Sequence, residues 1–215
     1  MRKILLALFL TLLCATASAA TTIELGHIRQ GELDLVYPLV YVDDQHARER
    51  INRDIARRVY SLKARYDSGE LIRASMDYAF TYQDDDAISF RLSYRTLHDP
   101  RAAHGHYWDE GAVYDKHTGE LIPLERYVRI RDAGQLLTCL QTGILEEYDA
   151  SGTKVYFYNV RGWTPERVSR NYILTGKDSL DLLYSTYELG PYSAGTIRVR
   201  FDGWAIGYFN KADAR

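Results

Sequence analysis

Residues 88–95 constrain this chain more than any other stretch. Ile88, Phe90, Leu92 and Tyr94 fall on one face, and Ser89, Arg91, Ser93 and Arg95 on the other. A period of two is that of a strand with one face in a core. A polar loop follows, ending in Ala102-Ala103-His104-Gly105-His106, and a second strand-like run, Tyr107 to Tyr114, stops at the turn Asp115-Lys116-His117-Thr118-Gly119. Two strands therefore hold a loop carrying two of the six histidines. Other segments must cover their apolar face.

Upstream, Thr21 to Gly31 and Glu32 to Val42 read as short strands, the second interrupted by Pro38, which places it at an edge or a break. Asp43-Asp44 can cap a helix over Gln45 to Tyr66, where Ala47, Ile51, Ile55, Val59 and Leu62 recur at helical spacing. Arg48, Arg50, Arg53, Arg57 and Arg58 fill much of the remainder, a solvated face or one that attracts an anionic polymer. Ile72 to Gln83 is a strand with Met76, Tyr78, Phe80 and Tyr82 on one side. Asp84-Asp85-Asp86 is its hairpin tip, without the spacing of a calcium loop. A second helix is expected after Asp132, with Leu136, Leu137, Leu140, Ile144 and Leu145 as its stripe and Glu146-Glu147-Tyr148 at its close. Thr164-Pro165 should start a helical turn. Asn171 to Thr175 and Ser179 to Ser185 flank a hairpin turn, and Ile197, Val199 and Phe201 point inward on a last strand. The pattern is α+β: a largely antiparallel sheet with one long and one or two shorter helices packed on one face. No repeat or linker divides it.

Composition sets the compartment. Arg2 and Lys3, the apolar run Ile4 to Leu13 and the Ala17-Ser18-Ala19 site read as a signal peptide over residues 1–19, leaving a single domain over 20–215. The apolar run is shorter than the roughly 20 residues of a membrane span. The mature chain is expected to be extracytoplasmic, periplasmic or secreted, with no transmembrane span. Losing Arg2 and Lys3 takes the formal net charge from −2 to −4, so there is no basic footprint for nucleic acid. Cys14 belongs to the signal, and Cys139 remains as a lone, small buried hydrophobe. The 18 tyrosines suit sheet faces and edges and are compatible with carbohydrate contact.

No nucleophile elbow, zinc-protease helix or phosphate loop is present. His104-Gly105-His106 could set two metal ligands on one side of a strand, with Asp109, Glu110 and His117 nearby. The intervening glycine loop favours hydrogen-bonding histidines instead, so no metal and no cofactor are expected. Acid–base work would need Glu110 or Glu188 beside His104. The later loop Tyr187 to Gly195 (YELGPYSAG) offers a partner for the histidine loop. If both occupy one sheet end, His104, His106, Tyr187, Glu188 and Tyr192 line a concave floor shaped by Gly105, Gly119, Pro191 and Gly195. Alternatively the loops only pack together, with Gly195 in a positive-φ turn.

Three stretches carry a resemblance: Glu49-Arg50-Ile51-Asn52-Arg53-Asp54-Ile55, Ala103-His104-Gly105 after a long alternating strand, and Tyr114-Asp115-Lys116-His117-Thr118-Gly119-Glu120-Leu121. The strand Leu180 to Tyr184, running into Pro191-Tyr192-Ser193-Ala194-Gly195, is a fourth. Together, over roughly Leu33 to Phe201, the chain resembles the extracytoplasmic accessory domain of RsiV-type anti-sigma receptors and PdaC-type peptidoglycan deacetylases. The deacetylase metal motif and the receptor's membrane helix are missing. The resemblance thus implies a stand-alone, non-catalytic module that binds cell-wall glycan (peptidoglycan). The alternatives are a binder or inhibitor of a lysozyme-type hydrolase, or an enzyme acting on cell-wall glycan.

Overall fold

The computed structural model describes residues 21–212. The signal-peptide expectation lies outside them. In chain order the elements are β1 (Thr22–Gln30), β2 (Leu33–Tyr41), α1 (Gln45–Asp67), β3 (Arg73–Gln83), β4 (Ala87–Leu97), β5 (His106–Asp115), α2 (Ala133–Gln141), β6 (Glu146–Tyr148), β7 (Lys154–Val155), β8 (Tyr172–Gly176), β9 (Ser179–Tyr184), β10 (Ile197–Phe201) and α3 (Gly203–Ala212). The strands form two five-stranded sheets, ordered β1-β2-β3-β4-β5 and β7-β6-β10-β9-β8. Every pairing is antiparallel except β2 with β3, which α1 connects. The fold is therefore α+β and mostly antiparallel, with one long helix.

α1 forms where its period-3.6 stripe says it should. Asp44 accepts from the Ala47 amide at 2.7 Å, satisfying one of the orphan N–H groups of the first turn. Ala47, Ile51, Ile55, Val59 and Leu62 are buried against Leu33, Leu35, Met76, Phe90 and Leu92 of the first sheet. Each aliphatic side chain so buried contributes about 1.5–3 kcal/mol. Pairing of β2 with β3 stops at Leu35, so the half of β2 that holds Pro38 is open on that side. Asn52 of α1 closes the gap: its side chain donates to the Val40 carbonyl at 2.7 Å and accepts from the Val40 amide at 2.8 Å. Proline is tolerated here because no neighbouring strand needs its missing N–H.

The other face of the first sheet is partly covered, with Arg73, Asp77 and Arg95 exposed on it. β8 lies across it, and the contact is polar. Ser89 is fully buried, its Oγ accepting from the Leu174 amide at 3.0 Å and from Thr81 Oγ1 at 2.8 Å. Asn171 donates to the Asp109 carbonyl at 2.7 Å and accepts from the Gly111 amide at 2.6 Å. A Cβ on Gly111 would sit 1.7 Å from the Tyr172 carbonyl oxygen, so only glycine admits β8 this closely. A register shift between Phe80 and Tyr82 turns Tyr82 away from its alternating partners and into the second core. That core gathers Leu136, Cys139 and Leu140 of α2, Ala205 and Phe209 of α3, and the inward residues of β8, β9 and β10.

Three local expectations are corrected. α2 ends at Gln141 because Gly143 takes a φ of 74°, and the amides of Ile144 and Leu145 both return to the Cys139 carbonyl. Ile144 and Leu145 therefore follow the helix, and Glu146-Glu147-Tyr148 is a strand, held by the register of β10. No helical turn starts at Thr164-Pro165. α3 was absent from the sequence pattern because Gly203 and Gly207 lower its propensity.

Candidate functional site

The loop between β4 and β5 meets the loop after β9 at one end of the first sheet. The second loop turns tightly at Ser185, whose carbonyl accepts from the Glu188 amide at 3.1 Å, while the Tyr187 amide donates to the Gly190 carbonyl at 3.1 Å. Tyr187 takes a φ of 71°, alone among the described non-glycine residues in this region. The left-handed region costs an L-residue roughly 1–2 kcal/mol. Glu188 locks the turn, accepting from the Ser185 amide at 2.7 Å and pairing with Arg167. Its carboxylate therefore serves the turn.

Three aromatic rings converge here. The His104 and Tyr192 rings stack with centroids 3.9 Å apart, and Tyr187 lies 5.9 Å from Tyr192. The Tyr192 hydroxyl donates to the Gly105 carbonyl at 3.0 Å, and His104 Nδ1 lies 3.0 Å from the same oxygen. Since a carbonyl only accepts, Nδ1 carries a proton, and Nε2 lies 3.3 Å from the Tyr187 hydroxyl. Pro191 enters the single 3₁₀ turn Tyr192–Ala194, and Gly195 leaves it at a φ of 67°. A Cβ on Gly195 would meet that of Ala150 at 2.7 Å, and one on Gly105 the Thr96 carbonyl at 2.6 Å. Both glycines are there for close packing.

Two cavities flank the cluster. One of about 440 Å³ lies beside Arg73, Arg95, Tyr107, Ala150 and Tyr192. The other, about 240 Å³, lies beside His98, Asp99, His104, Thr186 and Tyr187. Thr96 lines both; it is buried, and its hydroxyl has no hydrogen-bond partner among the described residues. Arg95 lies over the Tyr107 ring at 5.5 Å from its centroid. The Tyr107 hydroxyl donates to buried Asp109 at 3.0 Å, and burial together with that carboxylate pushes its pKa up.

The two histidine rings stack on different partners, while His106 lines both cavities. The His106 ring stacks on Trp108, which stacks on Tyr94, on the sheet face that carries α1. Among the described residues, no group of three His, Cys, Asp or Glu side chains is placed to hold a metal. Gly119 is remote, its turn pressed against Ala47 and Arg50 of α1. The structure thus brings together His104, Tyr187 and Tyr192 with Gly105, Pro191 and Gly195, and His106 lines the two cavities beside them. Thr96, Arg95, Tyr107 and Ala150 escaped the sequence reading because they come from three separate segments, with no shared motif.

The two sheets with their crossover helix define an α+β domain whose fold is similar to that of two solved DUF3298-family proteins. A DUF3298-family member from Bacteroides fragilis NCTC 9343 superimposes with a TM-score of 0.61 at 11 % identity, over 89 % of this chain and 94 % of its own. A DUF3298-family protein from Pseudomonas aeruginosa PAO1 gives 0.55 at 15 % identity, over 87 % and 92 %. At these identities the likeness is one of fold, and it fits a domain of unknown function. No protein-family model matches the chain, and no curated protein matches it. Among the described residues, no helix is long and apolar enough to cross a membrane.

Proposed function

We propose that the chain is an exported, non-catalytic binding domain that takes cell-wall glycan on the Tyr187–His104–Tyr192 cluster. Tyr187 carries this reading. Its side chain is 57 % exposed and is held in a backbone conformation that glycine would adopt without strain. An exposed aromatic kept against local strain is the mark of a ring needed for contact. Sugar rings present apolar faces to tyrosine and hydroxyls to the groups around it, here the His104 ring and the cavity walls. Asp99, in the smaller cavity, is the one carboxylate among the described residues that lines either, and Arg73 and Arg95 line the larger. Such a lining lacks the acidic surface that would complement a basic hydrolase, and it lacks the paired carboxylates of glycoside hydrolysis.

The test is co-sedimentation of residues 20–215 with purified peptidoglycan sacculi, beside His104→Ala and Tyr192→Ala variants whose folding is checked by circular dichroism. Wild type should pellet with the sacculi and both variants should stay in solution. Wild type remaining in the supernatant at low salt rejects the glycan reading and turns attention to soluble lysozyme.

A further inference from the structure

A second groove runs between α1 and β5, on the opposite side of the first sheet from β8. It has two parts, of about 470 and 370 Å³, and Arg57 lines both. Its walls carry Arg50, Arg53, Arg57, Arg58 and Arg65 against three carboxylates, Asp54, Glu110 and Glu120. Arg65 is paired with Glu70 at 2.8 Å, so the cationic excess rests on Arg53 and Arg57, on a chain whose formal net charge is −2.

The carboxylates are already engaged. Asp54 accepts from the Tyr114 hydroxyl at 2.8 Å, from Arg58 at 3.0 Å and from Arg57. Although burial pushes its pKa up, the Tyr114 hydroxyl and Arg58 together hold the carboxyl below its ordinary range. Glu110 takes Arg58 and the Trp108 indole N–H, the latter at 3.2 Å, and Glu120 takes Arg50 at 2.7 Å. On the rim, Arg53 has no ion-pair partner among the described residues. The side chain of Arg57 is 75 % exposed and shares its one carboxylate with Arg58. At the far end Trp108 lies flat on Tyr94, with centroids 4.8 Å apart. From Arg50 to Arg65 the helix rises about 22 Å at 1.5 Å per residue, the reach of a polymer segment rather than of one small ion.

We propose that this groove binds an extended anionic polysaccharide, one bearing carboxylate or phosphate groups along its chain. Arg53 and Arg57 receive the charges, as planar guanidinium groups do for both kinds of oxyanion. Trp108, held between the His106 and Tyr94 rings, presents only its ring edge at that end. Nucleic acid fits less well: its closely spaced phosphates would meet only Arg53 and the carboxylate-sharing Arg57 on a molecule of negative net charge.

The experiment measures the affinity of the mature chain for polygalacturonate, inorganic polyphosphate, neutral dextran and a single-stranded DNA oligomer, at low and at raised salt. The proposal expects binding to polygalacturonate or polyphosphate, none to dextran, and weakening by salt. Whichever of the two binds tighter assigns carboxylate or phosphate. Arg53→Gln and Arg57→Gln should each lower the affinity about tenfold, the effect of one charge-assisted contact. Arg29→Gln, on the remote β1, and Tyr187→Ala, at the other site, should leave it unchanged. Equal retention of dextran, DNA binding as tight as the polysaccharide, no binding at low salt, or insensitivity to both groove substitutions overturns the proposal. So does loss of binding in Tyr187→Ala, which would move the ligand to the aromatic cluster.

Discussion

The Tyr187 hydroxyl lies 3.3 Å from Nε2 of His104, a partner 83 positions away in the chain. Two loops are joined by this contact and by the stack of His104 on Tyr192. The strain at Tyr187 then serves to carry a ring to that place.

Replacing Tyr187 by glycine should therefore separate stability from binding. The substitution removes about 1–2 kcal/mol of left-handed strain and adds the unfolded-state entropy of glycine, about 0.5–1 kcal/mol. Urea denaturation should show a variant as stable as wild type or up to about 1 kcal/mol more so, while retention on sacculi disappears. A loss of more than about 2 kcal/mol would make the ring a structural group.

Gly111 is the closest approach of the two sheets. Gly111→Ala sets a methyl group 1.7 Å from a backbone oxygen that cannot move without displacing β8. The expected cost exceeds about 3 kcal/mol, the range of severe core overpacking. A melting temperature within a few degrees of wild type would contradict the packing described for β8 on β5.

Asn171 supplies the polar half of the same contact. Asn171→Ala leaves the Gly111 N–H and the Asp109 carbonyl without their partner, so about 2–3 kcal/mol should be lost. Hydrogen exchange offers a local reading: the Gly111 amide should lose protection more than amides in the α1 face of β4.

Glu147 predicts the pH dependence of stability. It is 1 % exposed, its Oε1 has no partner among the described residues, and Oε2 accepts from the Tyr158 amide at 3.4 Å. Burial raises its pKa from 4.5 to about 7, against the lowering effect of the Tyr158 and Phe157 amides. The folded state thus holds this proton over a range where the unfolded chain has released it. The contribution of Glu147 to stability is fully present below about 4.5, falls as pH rises towards 7 and levels off above, a loss on the order of 3 kcal/mol. Glu147→Gln should flatten that slope and raise the melting temperature at pH values above 7. An unchanged slope would assign the titration elsewhere.

Much of the fold is legible because its signals are local. The stripe Ala47 to Leu62 and the cap Asp44 specify α1 to within a residue of its end, and Asp84 closes its hairpin by accepting from the Asp86 and Ala87 amides. Ile88, Phe90, Leu92 and Tyr94 alternate onto the buried face as read. Ser89, on the complementary polar face, is buried too. Polarity alone cannot distinguish water from the backbone of a strand 85 residues away. The candidate site divides likewise. The meeting of the Ala103-His104-Gly105 and Pro191-Tyr192 loops was an available expectation, while the positive φ of Tyr187 has no local sign in the residue type.

By itself the sequence determined the class of fold, the long helix, the faces of the main strands and the two loops that carry His104 and Tyr192. Each follows from a periodicity or a turn chemistry that acts within a few residues. The tertiary structure alone decided that the strands divide into two sheets, that the His104 and His106 rings stack on different partners, and that arginines of α1 line a groove with Trp108. Those outcomes depend on which distant surface comes to lie against a given face, and burial, unlike periodicity, belongs to both partners of a contact.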